Sequence, residues 1–300
     1  MITNPNTKEI IDAVKKYSSE LKDVKELAII LAAGHGKRLK SEKSKMLHTI
    51  LGVPTVERVF NACIKAVKGI NVIIVVGIKA IEVMEALGKK EKMIYAYQEV
   101  QNGTGHAVQV GLQGLKNIPA DAIVYILPGD MGLIDDETIK QFREKFLKSK
   151  ADMIVLTGLY EGKTEENYYG RMIRAKDGTG NVIQIMEHKD ILALPDDKPY
   201  KVNYKGKEYS YSKDELLKNN EYNSGVFAFR YDRLMEMIDM IKSENVQNEI
   251  YITDLIDLFN KKGYSVAAMA AKKNYAVMGF NTQEVLKEMN EIAKKVYGKK

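Results

Sequence analysis

A single cysteine, Cys63, stands in a chain of 300 residues. No intrachain disulfide can form and a cysteine-bound metal centre is not expected; the residue falls in an apolar helical pattern and reads as core. No apolar run reaches the length that spans a bilayer, and residues 1–23 lack the continuous apolar stretch of a secretory leader. A cytoplasmic chain with no membrane partner is therefore expected. Long blocks of one charge are missing too: 46 basic and 40 acidic side chains leave a formal net charge of +6, with the two signs interleaved. Nucleic acid is not implied as a partner.

What is present is enough hydrophobic residue, 45% of the chain, to bury one large α/β core. Residues 7–21 have helical composition, with Ile10, Ile11, Val14, Tyr17 and Leu21 roughly on one face. The first 25 residues thus read as a helical extension whose expected role is to pack on the sheet of a main domain, residues 26–300. Apolar runs of strand length follow at 27–33, 71–76, 93–97, 122–127 and 151–159, and amphipathic helices are expected at 56–67, 80–87 and 283–296. This alternation predicts a Rossmann-like α/β fold with a mixed, mostly parallel central sheet flanked by helices.

The organising stretch is LAIILAAGHGKRLKSEKSKML, from Leu27 to Leu47. A buried strand breaks at Gly34, and Gly36 follows two residues on, so bare backbone N–H groups can approach an anion. Lys37, Arg38 and Lys45 add positive charge at the same place, and a triphosphate would engage all of them together. The plainer reading is a glycine turn with solvated lysines. No GK[ST] closes the loop and GxGxxG is incomplete, so it is neither a P-loop nor a dinucleotide fingerprint. Further on, Asp130 lies just beyond the end of the strand at 122–127, where open α/β sheets bind ligands; a turn or a helix cap would also explain it.

This strand and loop, with the LHTILGVPTVERV that follows, resemble the signature of the sugar-1-phosphate nucleotidyltransferases, or pyrophosphorylases: roughly LAAGxGxR, a lysine, then LHxIxGxP. The match is most similar to the uridylyltransferase half of bacterial N-acetylglucosamine-1-phosphate uridylyltransferases and keeps its register over most of 27–286. The resemblance implies a GT-A-like nucleotidyltransferase fold and a set of roles. Leu31, Ala32, Ala33, Gly34, Gly36 and Lys37 would meet the nucleotide, with Arg38 and Lys45 as catalytic cations. Gln98, Gly103 and Thr104 of QEVQNGTGHAV match the base-reading segment, while His106 is expected to be structural. Asp130 of PGDMGL and Asn281 of VMGFNTQEVL match a metal pair and imply Mg²⁺, which prefers hard oxygen ligands. Gly170 of YYGRMI, Glu187 of IMEHKD and Asn223 of YNSGVF match the sugar-holding positions.

Several of these residues have structural alternatives: Glu187 could sit solvated at the end of a hairpin, Asn223 could shape a turn, and Asn281 could open the last helix. The chain also departs from the pattern. Gly132 replaces a proline, Ser224 a threonine and Asn248 a glycine, and an arginine is missing after Asn281. A polar stretch at about 190–220 is longer than the family's connection and is expected to form a lid, a pocket wall or a subunit contact. Glu249, Tyr251, Thr253 and Asp254 keep the pattern and are expected mainly to be scaffold, with capping a ready explanation for Thr253 and Asp254. Hexapeptide repeats, which in the resembled bifunctional enzymes build an acetyltransferase β-helix, are absent, so acetyl transfer is not expected.

The expected activity is transfer of a uridylyl group from UTP to N-acetylglucosamine 1-phosphate. The alternatives are another sugar 1-phosphate or nucleotide, such as glucose 1-phosphate or dTTP, and a non-catalytic sugar-nucleotide-binding protein. Retention of Lys45, Asp130 and Asn281 together speaks against the last. Replacing Lys45 by alanine is expected to lower turnover far more than stability.

Overall fold

A computed structural model describes residues 7–34, 36–39 and 41–298, without the side chain of Lys37. In chain order, α1 (Thr7–Tyr17) leads to β1 (Glu26–Ala32), a small hairpin of β2 (Thr49–Ile50) and β3 (Val53–Pro54), and α2 (Thr55–Ala66). Then come β4 (Asn71–Val76), α3 (Ala80–Leu87), β5 (Met93–Tyr97), α4 (Thr104–Leu112) and β6 (Ile123–Pro128). The second half holds α5 (Asp136–Ser149), β7 (Met153–Leu159), β8 (Arg171–Arg174), β9 (Val182–Met186), α6 (His188–Ala193), β10 (Tyr200–Tyr204), β11 (Lys207–Tyr211) and α7 (Lys213–Lys218). It closes with β12 (Glu221–Arg230), α8 (Tyr231–Met237), α9 (Leu255–Lys262), β13 (Val266–Ala270) and α10 (Gln283–Tyr297).

The sheet runs β13-β7-β12-β6-β1-β4-β5, and within this path β12 alone is antiparallel to its neighbours. Its centre is aliphatic for a physical reason: helices cover both faces, so β1 and β4 bury side chains on both sides, and every residue of β4 is buried. Successive strands proceed to one side from β1 through β4 to β5, and to the other side through β6. A crevice opens at such a reversal, beyond the carboxyl ends of the strands.

The N-terminal helix stops at Tyr17, four residues short of the expected end, because Ser18 and Ser19 bond instead to the sheet edge. Ser19 N donates to Met93 O at 2.8 Å, and Tyr95 N donates to Ser18 Oγ at 2.9 Å. The extension thereby covers the outer edge of β5. Ile10 is buried, whereas Ile11, expected on the same face, is 43% exposed.

The 190–220 stretch is ordered. Its β10–β11 hairpin turns at Lys205 and Gly206, both with positive φ, and Val202, Tyr204, Tyr209 and Tyr211 point inward with Leu216 of α7 and Ile191 of α6. These residues share a small core with Ile173, Ile183 and Met186 of the β8–β9 hairpin. The lobe therefore rests on the strands that carry Gly170 and Glu187 at their ends.

Candidate active site

β1 carries Leu31, Ala32 and Ala33 to the carboxyl edge of the sheet, where Ala32 and Ala33 are buried and Gly34 is exposed. The chain turns at Gly36 with φ +64°, and a Cβ there would lie 2.8 Å from the Cβ of Lys45. Glycine is needed both for the backbone angle and for the close approach. Lys37–Leu39 form one helical turn that leaves Arg38 exposed; the Lys37 side chain lies outside the described residues.

Lys45 is only 9% exposed. Its ammonium stands 2.5 Å from Asp130 Oδ2 and donates to Asn281 Oδ1 at 2.8 Å, with the Phe280 ring 5.5 Å away. Asp130 follows the end of β6. Asn281 precedes α10, and Thr282, not Asn281, caps that helix by accepting from Val285 N at 3.4 Å. The Asn281 carbonyl is thus left to face the cation. A backbone proline would fit poorly at Gly132, whose Cβ position lies 2.8 Å from Thr55 Cγ2.

Two oxygen donors from distant parts of the chain converge on one positive centre, and this pair suits a hard divalent cation such as Mg²⁺. No group of three His, Cys, Asp or Glu side chains able to hold a metal occurs among the described residues. A metal here would take its other ligands from phosphate and water.

Gln98 is 3% exposed, and its amide nitrogen lies 3.2 Å from Gly103 O and 3.1 Å from His106 Nδ1. Gln98 thus braces the turn at Gly103, φ +96°, and His106 has a structural partner. Thr104 opens α4 and accepts from Ile252 N at 3.2 Å, while Gly105 N donates to Ile250 O at 2.7 Å.

Gly170, Glu187 and Asn223 come together although their segments are far apart in sequence. Asn223 N donates to Gly170 O at 2.9 Å, and a Cβ on Gly170 would lie 3.0 Å from both Glu187 carboxylate oxygens. The turn reading of Asn223 is also realised: its Oδ1 accepts from Gly225 N at 2.8 Å inside a bulge of β12. Ser224 completes that bulge by donating to Leu156 O at 2.6 Å. Glu187 is half-buried; burial first, then the nearby charges of Asp190 and Asp254, push its carboxyl up to about 7. Asp254 is raised to about 6 by burial and by Asp190 and Asp257.

Residues 28–173 match the family profile of the MobA-like NTP transferase domain. The bifunctional protein GlmU of Acetivibrio thermocellus is 35% identical over 267 residues, covering 89% of this chain and 51% of that protein. GlmU of Thermoanaerobacter pseudethanolicus is 34% identical over 269 residues, covering 90% and 52%. These matches make the chain similar to nucleotidyltransferases of the sugar-1-phosphate type. It spans about half the length of the curated relatives it matches. A solved UDP-glucose pyrophosphorylase, complexed with UDP-glucose, has the same fold at a TM-score of 0.62 and 17% identity, covering 90% of this chain and 98% of that one.

Two further residues face the hollow of about 360 Å³ that Glu187 and Asp190 line. Tyr251 and Thr253 are 8% and 3% exposed; neither hydroxyl has a partner with full hydrogen-bond geometry, although Thr253 lies close enough to Glu187, and Tyr251 to Gln247, for a weak contact. A buried hydroxyl without a well-formed hydrogen bond is costly, and a polar ligand in the hollow could complete both. Thr253 and Asp254 do not cap: Asp254 stands at the start of α9 without a side-chain cap bond. Cys63 is buried, with its thiol raised to about 12, and stays an inert core residue. No helix among the described residues is long and apolar enough to cross a membrane.

Proposed function

We propose that the chain transfers a uridylyl group from UTP to N-acetylglucosamine 1-phosphate, giving UDP-N-acetylglucosamine and pyrophosphate, as a Mg²⁺-dependent cytoplasmic enzyme. The observation that carries this reading is the Lys45 ammonium held between Asp130 and Asn281 at the carboxyl edge of the sheet. A glycine loop borders it on the chain side, and the group Gly170, Glu187 and Asn223 forms the second pole.

A phosphate oxygen of the sugar 1-phosphate attacks the α-phosphorus of UTP. The bond from that phosphorus to pyrophosphate breaks, and pyrophosphate leaves with the electron pair. No covalent enzyme intermediate is needed, so the protein's task is alignment and charge neutralisation. Backbone N–H groups of Ala33, Gly34 and Gly36 meet phosphate oxygens, and Arg38 and Lys45 offset the charge that builds in the transition state. Asp130 and Asn281 would hold Mg²⁺, which supplies further neutralisation of phosphate oxygens. Gln98, Gly103 and Thr104 border the base, while the Gly170 amide, Glu187 and Asn223 hold sugar hydroxyls.

A second reading keeps the reaction and changes the substrates to glucose 1-phosphate or dTTP. The lobe of residues 190–220 favours it, because α6 and β10 wall the hollows beside Glu187 and so reshape the acceptor side.

Pyrophosphate release with Mg²⁺ tests both, with UTP, dTTP, CTP and GTP each offered against N-acetylglucosamine 1-phosphate and glucose 1-phosphate. Selective turnover of UTP with the N-acetylated sugar is expected. Preference for another pair moves the substrate assignment, and no turnover with any pair overturns the enzyme reading.

A further inference from the structure

Tyr168 is 68% exposed, yet the backbone on either side of it is pinned. Asn167 is 2% exposed and its Oδ1 accepts from Tyr169 N at 3.3 Å. The fully buried Arg171 donates to Asn167 O at 2.7 Å and to Tyr169 O, so one guanidinium grips the carbonyls flanking Tyr168. Tyr169 in turn stacks on Tyr222 with ring centroids 4.4 Å apart. The loop therefore presents Tyr168 in a fixed place while leaving its ring in water, forgoing the stabilisation that burying an aromatic brings.

The position of the ring gives that exposure a use. It makes a T-shaped contact with His188, centroids 5.4 Å apart at 87°, and His188 directly follows Glu187. Tyr168 also precedes Gly170 by two residues, and the Gly170 backbone packs against the Glu187 carboxylate. At 68% exposure the ring keeps a face open to solvent beside Gly170 and Glu187.

We infer that Tyr168 is a platform for the acceptor: its open face takes the apolar C–H face of a pyranose 1-phosphate. This deepens the proposed reaction and rests on it. The acceptor class is a pyranose with mainly equatorial substituents, because axial hydroxyls would interrupt the C–H face that stacks. Glu187, Gly170 and Asn223 then take the hydroxyls around the ring edge, and Tyr168 fixes its plane relative to the attacking phosphate.

The test is steady-state kinetics of Tyr168→Ala and Tyr168→Phe beside the unsubstituted chain, varying N-acetylglucosamine 1-phosphate and UTP separately. An aromatic contact of this kind predicts a KM for the acceptor raised about three- to tenfold in the alanine variant, with kcat and the KM for UTP within about twofold. The phenylalanine variant keeps the original acceptor KM. Thermal unfolding of Tyr168→Ala should match the unsubstituted chain, since the ring is mostly in water. An unchanged acceptor KM in Tyr168→Ala, an equal shift for UTP, or a loss in Tyr168→Phe as large as in Tyr168→Ala overturns the inference. If the unsubstituted chain turns over no pyranose 1-phosphate with any nucleotide, the proposed reaction fails first and the platform falls with it.

Discussion

The Lys45 ammonium rests 2.5 Å from the Asp130 carboxylate, and both side chains are nearly withdrawn from solvent, at 10% and 14% exposure. Without ligands, the lysine is the counter-charge of the site that would hold Mg²⁺. A triphosphate offers Lys45 a new partner and leaves Asp130 for the metal, so nucleotide and metal should assist each other's binding.

Substituting Lys45→Met removes one half of this pair and strands Asp130. Stability without metal should fall by about 3 kcal/mol, the scale for breaking a buried ion pair. Added Mg²⁺ should raise the melting temperature of Lys45→Met more than that of the unsubstituted chain, and turnover should fall about 10²- to 10³-fold. Thermal unfolding with and without Mg²⁺ checks the first two. The expectation from sequence, that turnover suffers far more than stability, changes because Lys45 is buried and paired and does not wave over a solvated loop.

Glu187 gives a pH signature. Its carboxyl is raised to about 7 in the folded chain against 4.5 ordinarily, so between those values the folded state holds more protons than the unfolded one. Its stabilising contribution is full below 4.5 and is lost as pH rises through about 7. Glu187→Gln should therefore match the parent near pH 4 and exceed it by about 1 kcal/mol at pH 8, the figure reduced for partial exposure. In the parent, KM for the acceptor should fall as pH rises through 7 and the carboxylate becomes a full acceptor; a flat profile would remove Glu187 from the sugar contacts.

Tyr251→Phe and Thr253→Val each delete a buried hydroxyl that lacks a partner with full hydrogen-bond geometry. Neither should destabilise the free protein, and a gain of up to about 1 kcal/mol is expected. Both should raise the KM for the acceptor. Loss of stability with unchanged KM would return these residues to the scaffold.

Gly103→Ala should be costly in a different way. The position has φ +96°, and a Cβ would lie 2.5 Å from Ile250 O and 2.8 Å from Ile250 N. Backbone strain plus displacement of the 250–252 segment predicts a loss of about 2–4 kcal/mol and weaker nucleotide binding, read by unfolding and by equilibrium titration with UTP.

Where apolar runs are bounded by glycine or polar turns, local sequence already defines the element: β4, α3 and β5 lie at 71–76, 80–87 and 93–97 as expected. α1 ended early because its limit is set by bonds from Ser18 and Ser19 to a strand more than seventy residues away, which no local pattern contains. The 190–220 lobe was legible in principle. Tyr200, Val202 and Tyr204 alternate with polar residues, as do Tyr209 and Tyr211, around Lys205-Gly206, the period-two signature of a hairpin. The richness in lysine obscured it.

In the candidate site, the motif residues were readable from sequence and their juxtaposition was not. Nothing local to KSKML says that Lys45 meets Asp130 and Asn281, and nothing in YITD distinguishes a partnered hydroxyl from an orphaned one. Tyr168 was hidden for a further reason: its exposure follows from the grip of Arg171 on its neighbours, a contact formed only once β8 is in place.

The most direct measurement is ³¹P NMR of the chain incubated with UTP, N-acetylglucosamine 1-phosphate and Mg²⁺. In-line transfer predicts that the sugar phosphate and UTP signals decline together while UDP-N-acetylglucosamine and pyrophosphate appear in equal amounts, with none of this when Asp130→Asn replaces the parent. UTP consumed without a nucleotide-sugar signal, or spectra unchanged while UTP binding is measurable, would contradict uridylyl transfer at this site.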